Sequence, residues 1–290
     1  MASLPSYRVQ QVKPFAITGV DYAGPITLKE PRGRKSVPKL AYFCLFVCTT
    51  TKTIHLELSS DLSTECFLMA FTRFSARRGP IKEMHNSVHR HLANHHITWH
   101  FNPPASPHFG GLWEAGVKST KSLILRSIGI HKLTSEEFLT LLTQVEATLN
   151  SRPLCALSND PDDFEALTPS HFLTLEPSTS LPDPSLVNVP MSKYQRWRLI
   201  TDLHRHFWTR WKNEYLSSLQ IRKKWSAPGQ ELRIGDLVLV REAIHPLRWR
   251  TGRIRELHPG SDGISRVATL DTSSGPLKRP AVKLCPLPIS

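Results

Sequence analysis

Three segments near the start of the chain have the pattern of apolar and polar positions that is typical of β-strands. They are Thr18–Leu28, the run LAYFCLFVC from Leu40 to Cys48, and TIHLELSS from Thr53. The second is apolar throughout, as expected for a central strand that is covered on both faces. The third alternates aliphatic residues with His55 and Glu57, which is the period of a strand. The pattern predicts three consecutive strands.

Three later segments have the period of amphipathic helices. Ser63 to Arg77 carries an apolar stripe and Ser63 is a suitable N-cap. A second helix is predicted from about Leu112 to Ile128, after Gly110 and Gly111. A third follows Thr134, which forms a capping box with Glu137. Its predicted buried stripe is Phe138, Leu141, Leu142, Val145 and Leu149.

The pattern weakens between the first two helices. The stretch IKEMHNSVHRHLANHH, residues 81–96, is short, polar and rich in histidine where a further strand is expected. It is followed by ITWHFNPP, which predicts a short strand closed by two prolines. The order of elements indicates an α/β domain with a mixed sheet flanked by helices.

The second half of the chain predicts a different organisation. Residues 159–191 are rich in Pro, Asp and Ser, which indicates a linker or a loop laid over the surface. Residues 192–230 predict a basic, tryptophan-rich helical segment. Short alternating runs in 231–290 predict a small β-rich domain, barrel-like, with four or five strands. The remaining predicted units are an N-terminal linker, 1–13, and the α/β domain, 14–158, shortened near 80–97.

The charge of the chain is unevenly distributed. The 290 residues carry 37 Lys and Arg against 24 Asp and Glu, a net charge of +13. Residues 1–128 hold 16 basic and 7 acidic residues, +9; residues 129–191 hold 2 and 9, −7; residues 192–290 hold 19 and 8, +11. Two basic blocks around an acidic spacer suggest two surfaces for a polyanion, for which nucleic acid is the first candidate.

Composition also bears on location. The longest apolar run is Leu40–Cys48, far short of a bilayer span, so no membrane segment is predicted. The N-terminus lacks the apolar stretch of a secretory signal. Five scattered cysteines favour reduced thiols, in the nucleus or the cytoplasm, over a disulfide framework. Cys44 and Cys48 are interpreted as core residues because no second cysteine pair accompanies them.

Two acidic residues are candidates for metal chemistry. Asp21 lies inside the first predicted strand, where a carboxylate is costly to bury unless it is paired or holds a cation. Glu114 lies on the second predicted helix, where Lys118 and Lys121 share its face at i+4 and i+7. Asp21 and Glu114 are predicted to face each other near one end of the sheet, because converging carboxylates hold the metal ions of phosphodiester chemistry. The alternative is that Glu114 is an ordinary ion-pair partner of Lys118.

Several motifs together resemble a known family. They are GVDYAGP, NPPASPHFGGLWEAGVKSTK, LLTQVEATLNSRPL and ALTPSHFL, followed by RWRLITDLHRHFWTRWKNEYLSSLQIRKKW and GDLVLVRE. Over nearly its whole length the chain resembles the integrase region, catalytic core plus C-terminal region, of BEL/Pao-type long-terminal-repeat retrotransposon polyproteins. The resemblance implies an RNase H-like fold, DNA as the partner, action as a homo-oligomer, and strand transfer that depends on Mg²⁺ or Mn²⁺.

The resemblance also implies roles for individual residues. Asp21 matches the first acid of an Asp, Asp, Glu triad and Glu114 the last. Lys118 and Lys121 match positions that face the DNA ends of the element. The middle acid is missing, because no aspartate occurs between Asp61 and Asp160 and Asn86 or Ser87 stands where it is expected. The family pattern has Ser-Asp-Asn-Gly-Thr-Asn-Phe, or a close variant, at the end of the fourth strand. We interpret its absence as an internal deletion that removes this motif and part of the following helix.

Neighbouring residues offer two weaker substitutes for the missing acid. Glu83 is the nearest acidic residue, but it precedes the expected strand end. A cluster of histidines (His85, His89, His91, His95 and His96) suggests a zinc site, but it lacks cysteine partners and regular ligand spacing. The triad therefore stays incomplete, and the predicted metal would be weakly bound.

The C-terminal block predicts a second DNA-binding surface. Five of the seven tryptophans lie among cations there, an arrangement suited to phosphate contacts and base stacking. The predicted DNA-binding residues are Arg196, Arg210, Lys212, Arg222, Lys223, Lys224, Arg248 and Arg250. Tryptophans at helical spacing are also common in cores, and Leu203, Phe207, Trp211 and Leu219 are predicted to pack inward.

Two hypotheses about function follow. The first is an integrase that joins element ends to target DNA by metal-dependent 3′-processing and strand transfer. The second is a non-catalytic DNA-binding remnant, from a decayed copy or a truncated gene model. The missing middle acid favours a catalytically defective chain.

Overall fold

The structure is a computed structural model that describes residues 13–29, 38–86, 98–101, 111–177, 179–181, 195–220 and 232–288. Within these ranges the side chains of residues 85, 86, 98–101 and 111–119 are not described. The predicted N-terminal linker lies almost entirely outside the described residues. So do most of the histidine-rich stretch and the basic run Arg222, Lys223 and Lys224.

The first sheet has five strands, and its first three are the strands that the pattern predicted. They are β1 (Ile17–Leu28), β2 (Lys39–Cys48), β3 (Ile54–Ser59), β4 (Glu83–Asn86) and β5 (Thr98–Phe101). The order across the sheet is β3-β2-β1-β4-β5. β1, β2 and β3 are antiparallel neighbours, whereas β4 runs parallel to β1 and β5 parallel to β4. β1 is therefore central.

Helices cover both faces of this sheet. Helix α1 (Thr64–Arg78) covers one face, where Phe67 and Phe74 pack with Val20 and Phe46. Helices α2 (Gly111–Ile128) and α3 (Ser135–Asn150) cover the other. The predicted N-caps are confirmed, since Ser63 accepts from the Cys66 amide at 3.3 Å and Thr134 forms the capping box with Glu137. The chain is a mixed α/β protein, as predicted.

The polar positions of β3 lie in the core rather than towards solvent. His55 and Glu57 are both buried, under helix α1. They belong to a set that we call the buried ion cluster, which consists of His55, Glu57, Arg73, Arg77, Arg78 and Glu146. His55 Nε2 lies 2.9 Å from Glu57 Oε1, and Arg73 Nε lies 2.7 Å from Glu57 Oε2. Each buried charge therefore has an opposite charge within hydrogen-bond distance.

The contacts in the buried ion cluster shift the pKa values of His55 and Glu57. Burial opposes the imidazolium, but hydrogen bonds with Glu146 and Glu57 outweigh it, so the pKa of His55 is raised. Burial likewise opposes the Glu57 carboxylate, and the hydrogen bonds from His55 and Arg73 outweigh it, so the pKa of Glu57 is lowered. Both shifts favour the ion pair over the neutral forms.

The outer edge of β3 is covered by two side chains of α3. Asn150 accepts from the Ile54 amide and donates to the Ile54 carbonyl, both at 2.8 Å. Glu146 Oε2 accepts from the Leu56 amide at 2.8 Å. Positions i and i+4 of a helix are about 6 Å apart along its axis, close to the advance of two residues along a strand. Helix α3 therefore provides, from side chains, the hydrogen bonds that another strand would make.

Asn150→Leu is expected to lower the free energy of unfolding by about 3 kcal/mol, because it leaves the amide and the carbonyl of Ile54 buried without partners. Urea unfolding followed by circular dichroism measures the change. Asn213→Leu, at an exposed position of a later helix, is the matched control and should stay within about 0.5 kcal/mol of the parent. An equal effect of both substitutions would contradict this role of Asn150.

The second half of the chain begins with a long helix that packs on the first domain. Helix α5 (Gln195–Leu219) contacts α2 and α3. Leu203, Phe207 and Trp211 are buried and Leu219 is partly buried, which confirms the predicted inward stripe. The helix thus belongs to the core of the described structure.

A second five-stranded sheet follows α5. Its strands are β8 (Leu237–Val240), β9 (Thr251–Pro259), β10 (Ser265–Asp271), β11 (Leu277–Pro280) and β12 (Leu284–Pro286), with a 3-10 turn, Ala281–Lys283, before the last. The order is β11-β10-β9-β8-β12, and all neighbours are antiparallel. Its five strands agree with the four or five that the pattern predicted; the bounds of the domain and its barrel-like shape stay predictions.

The described part of the predicted linker is an ordered surface loop. It contains β7 (Ala166–Leu167), which pairs with β6 (Cys155–Ala156), and the short helix α4 (His171–Thr174). Arg253 of the second sheet donates to the carbonyls of Asp163 and Ser158, both at 2.9 Å. Of the two interpretations that the sequence left open, these contacts favour the surface loop for the described part, because the guanidinium of Arg253 fixes it to the second sheet.

The cysteines and the helices agree with the remaining structural predictions. All five cysteines are free, and Cys44 and Cys48 are buried in the core as predicted. Among the described residues, no helix has both the length and the apolar character needed to cross a bilayer.

Candidate active site and nucleic-acid interface

Asp21 lies in the central strand and faces helix α2. Its Oδ2 forms an ion pair with Lys121 Nζ, and its Oδ1 accepts from the Tyr22 amide at 2.7 Å. The Asp21 side chain is 31% exposed and the Lys121 side chain 19%. The carboxylate is therefore half-buried, and the ammonium group of Lys121 neutralises its charge. The sequence analysis expected a buried carboxylate here to be either paired or bound to a cation, and this one is paired.

The structure gives backbone positions for Asn86 and Glu114, the other two residues expected at this site. In the register of β1 and β4, Asn86 is the partner of Val20, the residue before Asp21. Glu114 lies on α2, seven residues before Lys121, so the two positions share a helix face about 10 Å apart along the axis. The side chains of Asn86, Glu114 and Lys118 lie outside the described set. The predicted approach of Asp21 and Glu114 therefore stays a prediction.

The described side chains at this site do not fit a two-metal centre. Within the part of the chain that the structure describes, no three His, Cys, Asp or Glu side chains are grouped as metal ligands. Asp21 contributes one carboxylate, and Lys121 already provides its counter-charge. Two divalent ions need several carboxylate oxygens around them. The histidines of the zinc interpretation lie outside the residues whose side chains are described.

The predicted DNA-binding residues of the second half occupy different environments. Arg210 and Arg248 are exposed. Arg196 is also exposed, but its Nε donates to Glu137 Oε1 at 2.6 Å. Arg250 NH1 lies 3.0 Å from Glu242 Oε1. Among the described members of the set, Arg210 and Arg248 are thus the most open to a phosphate.

Lys212 is an exception, because it is buried. Its side chain donates to the Glu242 carbonyl at 2.8 Å and lies over the Trp208 ring, 5.6 Å from the ring centre. Burial lowers the pKa of Lys212. The contact connects α5 to the segment after β8, so in this structure Lys212 holds the protein together and does not face solvent.

The tryptophans of this region form an aromatic cluster, which consists of Trp208, Trp211, Tyr215 and Trp249. The Trp208 and Trp249 rings meet edge to face at 5.0 Å, and Trp211 stacks on Tyr215 at 5.5 Å. Trp208 and Trp211 are buried. Trp211 thus packs inward as predicted. The interpretation of Trp208 as a stacking platform for a base is wrong, because its ring is covered at the junction of α5 with the second sheet.

His204 is a buried polar group of α5 that the sequence did not single out. Its Nε2 lies 2.7 Å from Thr148 Oγ1 of α3. Burial lowers the pKa of His204 to about 4, so the imidazole is neutral in the folded protein at neutral pH. The hydrogen bond connects α5 to α3 in the middle of the core.

The free energy of unfolding is expected to fall by up to about 3 kcal/mol through His204 as the pH drops from about 6.5 to about 4. The unfolded chain binds the proton over this range and the folded protein does not, so stability rises with pH. Urea unfolding between pH 4 and pH 7.5 measures the slope. In His204→Gln the slope should be smaller, and an unchanged slope would show that another group carries it.

Comparisons with known proteins give two similarities. Residues 195–287, less than a third of the chain, match a family model described as a family of unknown function, DUF5641. The chain is also similar to a chain of the cryo-EM structure of the simian T-cell lymphotropic virus intasome in complex with the PP2A regulatory subunit B56 gamma. The identity is 11%, the TM-score is 0.41, and the match covers 99% of this chain and 84% of that one. A search of curated proteins gave no match.

Proposed function

We propose that the chain is an integrase-like DNA-binding protein of the BEL/Pao type that does not catalyse strand transfer. The observation that carries this proposal is the neighbourhood of Asp21. An aspartate in the central strand lies beside the end of β4, and α2, which carries Glu114, packs against the same strand. These are the backbone positions in which the family resemblance requires its three acids.

The sheet supports the proposed RNase H-like core. Three antiparallel strands are followed by two parallel ones, in the order β3-β2-β1-β4-β5, which is a mixed sheet of the kind that the resemblance implies. Helices on both faces complete it. The five-stranded β domain after α5 agrees with the C-terminal region that the resemblance implies. Fold by itself does not define an activity, so the proposal also depends on the site residues.

The proposed loss of catalysis follows from the lack of negative charge where the metal ions would bind. Bound Mg²⁺ or Mn²⁺ would activate the attacking water or hydroxyl and stabilise the leaving oxygen. Of the residues expected to hold the ions, Asp21 is neutralised by Lys121 and the β4 position carries Asn86, whose amide has no charge. We propose that a metal ion binds weakly here, and that Asp21 and Lys121 now stabilise the contact of β1 with α2.

DNA binding is proposed for the second half of the chain. Residues 192–290 carry a net charge of +11, and Arg210 and Arg248 of this region are exposed. Clustered cations bind phosphates without sequence preference. Binding of the DNA ends of an element and of target DNA, by a homo-oligomer in the nucleus or the cytoplasm, belongs to the same proposal.

The affinity of the full chain for a 30-base-pair duplex is expected to fall with salt. Four phosphate contacts would give a slope of log affinity against log salt of about −3.6, which is a loss of about a hundredfold between 50 and 200 mM. Arg210→Gln should make the slope less steep by about 1. Fluorescence anisotropy at several salt concentrations measures both quantities.

Arg266→Gln is the matched control for this experiment. Arg266 is equally a surface arginine, but its NH1 and NH2 donate to the Asp262 carboxylate at 2.9 and 2.6 Å, so it is already neutralised. The control should leave the slope nearly unchanged. Binding that is tight but independent of salt, or no binding at 50 mM, would count against the proposed function.

A further inference from the structure

A cavity of about 530 Å³, which we call the β3-end cavity, lies between helices α1 and α3 at one end of the first sheet. It is lined by the end of β1, the start of β2, the end of β3 and residues of both helices. The larger part of the lining is apolar, and the apolar residues are Leu28, Leu40, Ala41, Leu58, Met69 and Leu139. A volume of this size with an apolar lining is typical of small-molecule sites.

The charged residues of the lining are four cations and, among the described lining residues, one acid. The cations are Lys29, Lys39, Arg73 and Arg77, and the acid is Glu57. The Glu57 side chain is 1% exposed, whereas the side chains of Arg73 and Arg77 are 41% and 49% exposed. A ligand can therefore reach the two guanidinium groups but not the carboxylate that binds them.

The pairing of these groups leaves positive charge over. Arg73 Nε and Arg77 NH1 lie 2.7 and 2.8 Å from the two oxygens of Glu57, so one carboxylate serves two guanidinium groups. The Nε and NH2 groups of Arg77 bond to no described residue. Lys29 and Lys39 form no ion pair within the described ranges and interact with acids outside the lining only at longer range. The cavity therefore favours an anionic group.

The end of β3 adds a backbone donor to the cavity. In the register with β2, the N–H and C=O groups of Ile54, Leu56 and Leu58 point away from β2. The amides of Ile54 and Leu56 bond to side chains of α3, whereas the Leu58 amide bonds to no described residue. The Leu58 carbonyl accepts from Arg73 NH2 at 2.6 Å, which fixes this residue in the lining. Its amide is thus placed to donate to an anion beside the arginines.

We propose that the β3-end cavity binds a small organic carboxylate that carries an apolar body, such as an alkyl chain. The apolar body lies against Leu40 and Met69, and the carboxylate accepts from Arg77 and from the Leu58 amide. The planar fork of a guanidinium group matches a carboxylate. This goes beyond the proposed DNA binding, because the phosphates of a duplex would leave the apolar lining uncovered. The cavity is also remote from Asp21, since Leu28 lies seven residues further along β1, about 20 Å.

Isothermal titration of the full chain with octanoate is the direct test, and one molecule should bind per chain. Each buried methylene strengthens binding by about fourfold, so burial of half of the alkyl chain should make octanoate bind at least about fiftyfold more tightly than acetate. 1-Octanol has the same chain without the charge and should bind about tenfold more weakly than octanoate. No binding of octanoate, including the case in which residues 30–37 fill the cavity, would overturn the proposal.

The apolar contact is tested with two neighbouring residues of α1. Met69 and Leu68 are both exposed, by 53% and 41%, but only Met69 lines the cavity. Met69→Glu places a like charge beside the carboxylate and should weaken octanoate binding at least about tenfold. Leu68→Glu adds the same charge outside the cavity and should change it by less than about twofold. Equal effects of both substitutions would mean that octanoate binds elsewhere, and would overturn the site.

The charged contact is tested with a pair of arginines. Arg77→Gln should bring the affinity for octanoate down to that for 1-octanol. Arg210→Gln removes the same charge from an exposed position of α5 and should have no effect on octanoate. An equal loss in both variants would mean that the net charge of the chain binds the ligand. Tighter binding of the blocked tetrapeptide Leu-Asp-Phe-Glu than of octanoate would assign the cavity to a protein partner. Either result would overturn the proposal.

Discussion

The full chain is expected to give no strand-transfer product from a labelled terminal-repeat duplex, with Mg²⁺ or with Mn²⁺. The rate should lie on the order of a thousandfold or more below that of a chain with a complete triad, since loss of one group that stabilises the transition state already costs about that much. Here a carboxylate is missing and Asp21 is neutralised by Lys121. Gel analysis of 3′-processing and of strand transfer measures both steps.

Two variants show whether the missing segment is the cause. Asn86→Asp restores the charge at the end of β4 but not the loop and helix that should support it, so it should not restore activity. Restoring the whole Ser-Asp-Asn-Gly segment with its following helix is the matched comparison, and it supplies the reference rate. Turnover by the chain as it stands, abolished by Asp21→Asn, would show that the interpretation of the deletion is wrong.

Glu57→Gln is expected to lower the free energy of unfolding by about 3 to 5 kcal/mol. The substitution removes the carboxylate that His55, Arg73 and Arg77 share, and it leaves the two guanidinium groups without their counter-charge. Urea unfolding at pH 7 measures the loss. Glu176→Gln, on the exposed loop, should change stability by less than about 0.5 kcal/mol.

A double variant separates the loss of charge from the loss of shape. In His55→Leu/Glu57→Leu both buried charges are gone, and the two arginines can turn to solvent because their side chains are 41% and 49% exposed. The double variant should therefore be more stable than Glu57→Gln, since apolar replacement of a whole buried pair is often neutral. If it is the less stable of the two, packing rather than charge explains the effect.

The elements that depend on residues close together in the sequence could be predicted from it. Strands β1 to β3, helix α1 with its Ser63 cap and the capping box of α3 all follow from periods and spacings of a few residues. The position of Asp21 inside the first strand followed in the same way, whereas the central place of that strand in the sheet did not. Its ion pair with Lys121 joins residues 100 apart in sequence, and no local pattern indicates it.

The features that the sequence did not reveal depend on contacts between distant segments. The alternation of β3 does not show whether its polar face meets water or the arginines of α1. The sequence likewise does not show whether Lys212 and the tryptophans are exposed or buried. A cation near an aromatic residue in sequence has the same pattern on a surface as at a buried contact between two elements.

The side chains that cover the outer edge of β3 also limit how copies of the chain can associate. A bare edge strand is a template for a strand of another molecule and a common origin of aggregation. On the β3 side the amides of Ile54 and Leu56 already bond to Asn150 and Glu146, so no foreign strand can extend the sheet there. An oligomer must then be built on that side from helix faces or loops, and the first domain is protected from open-ended growth in that direction.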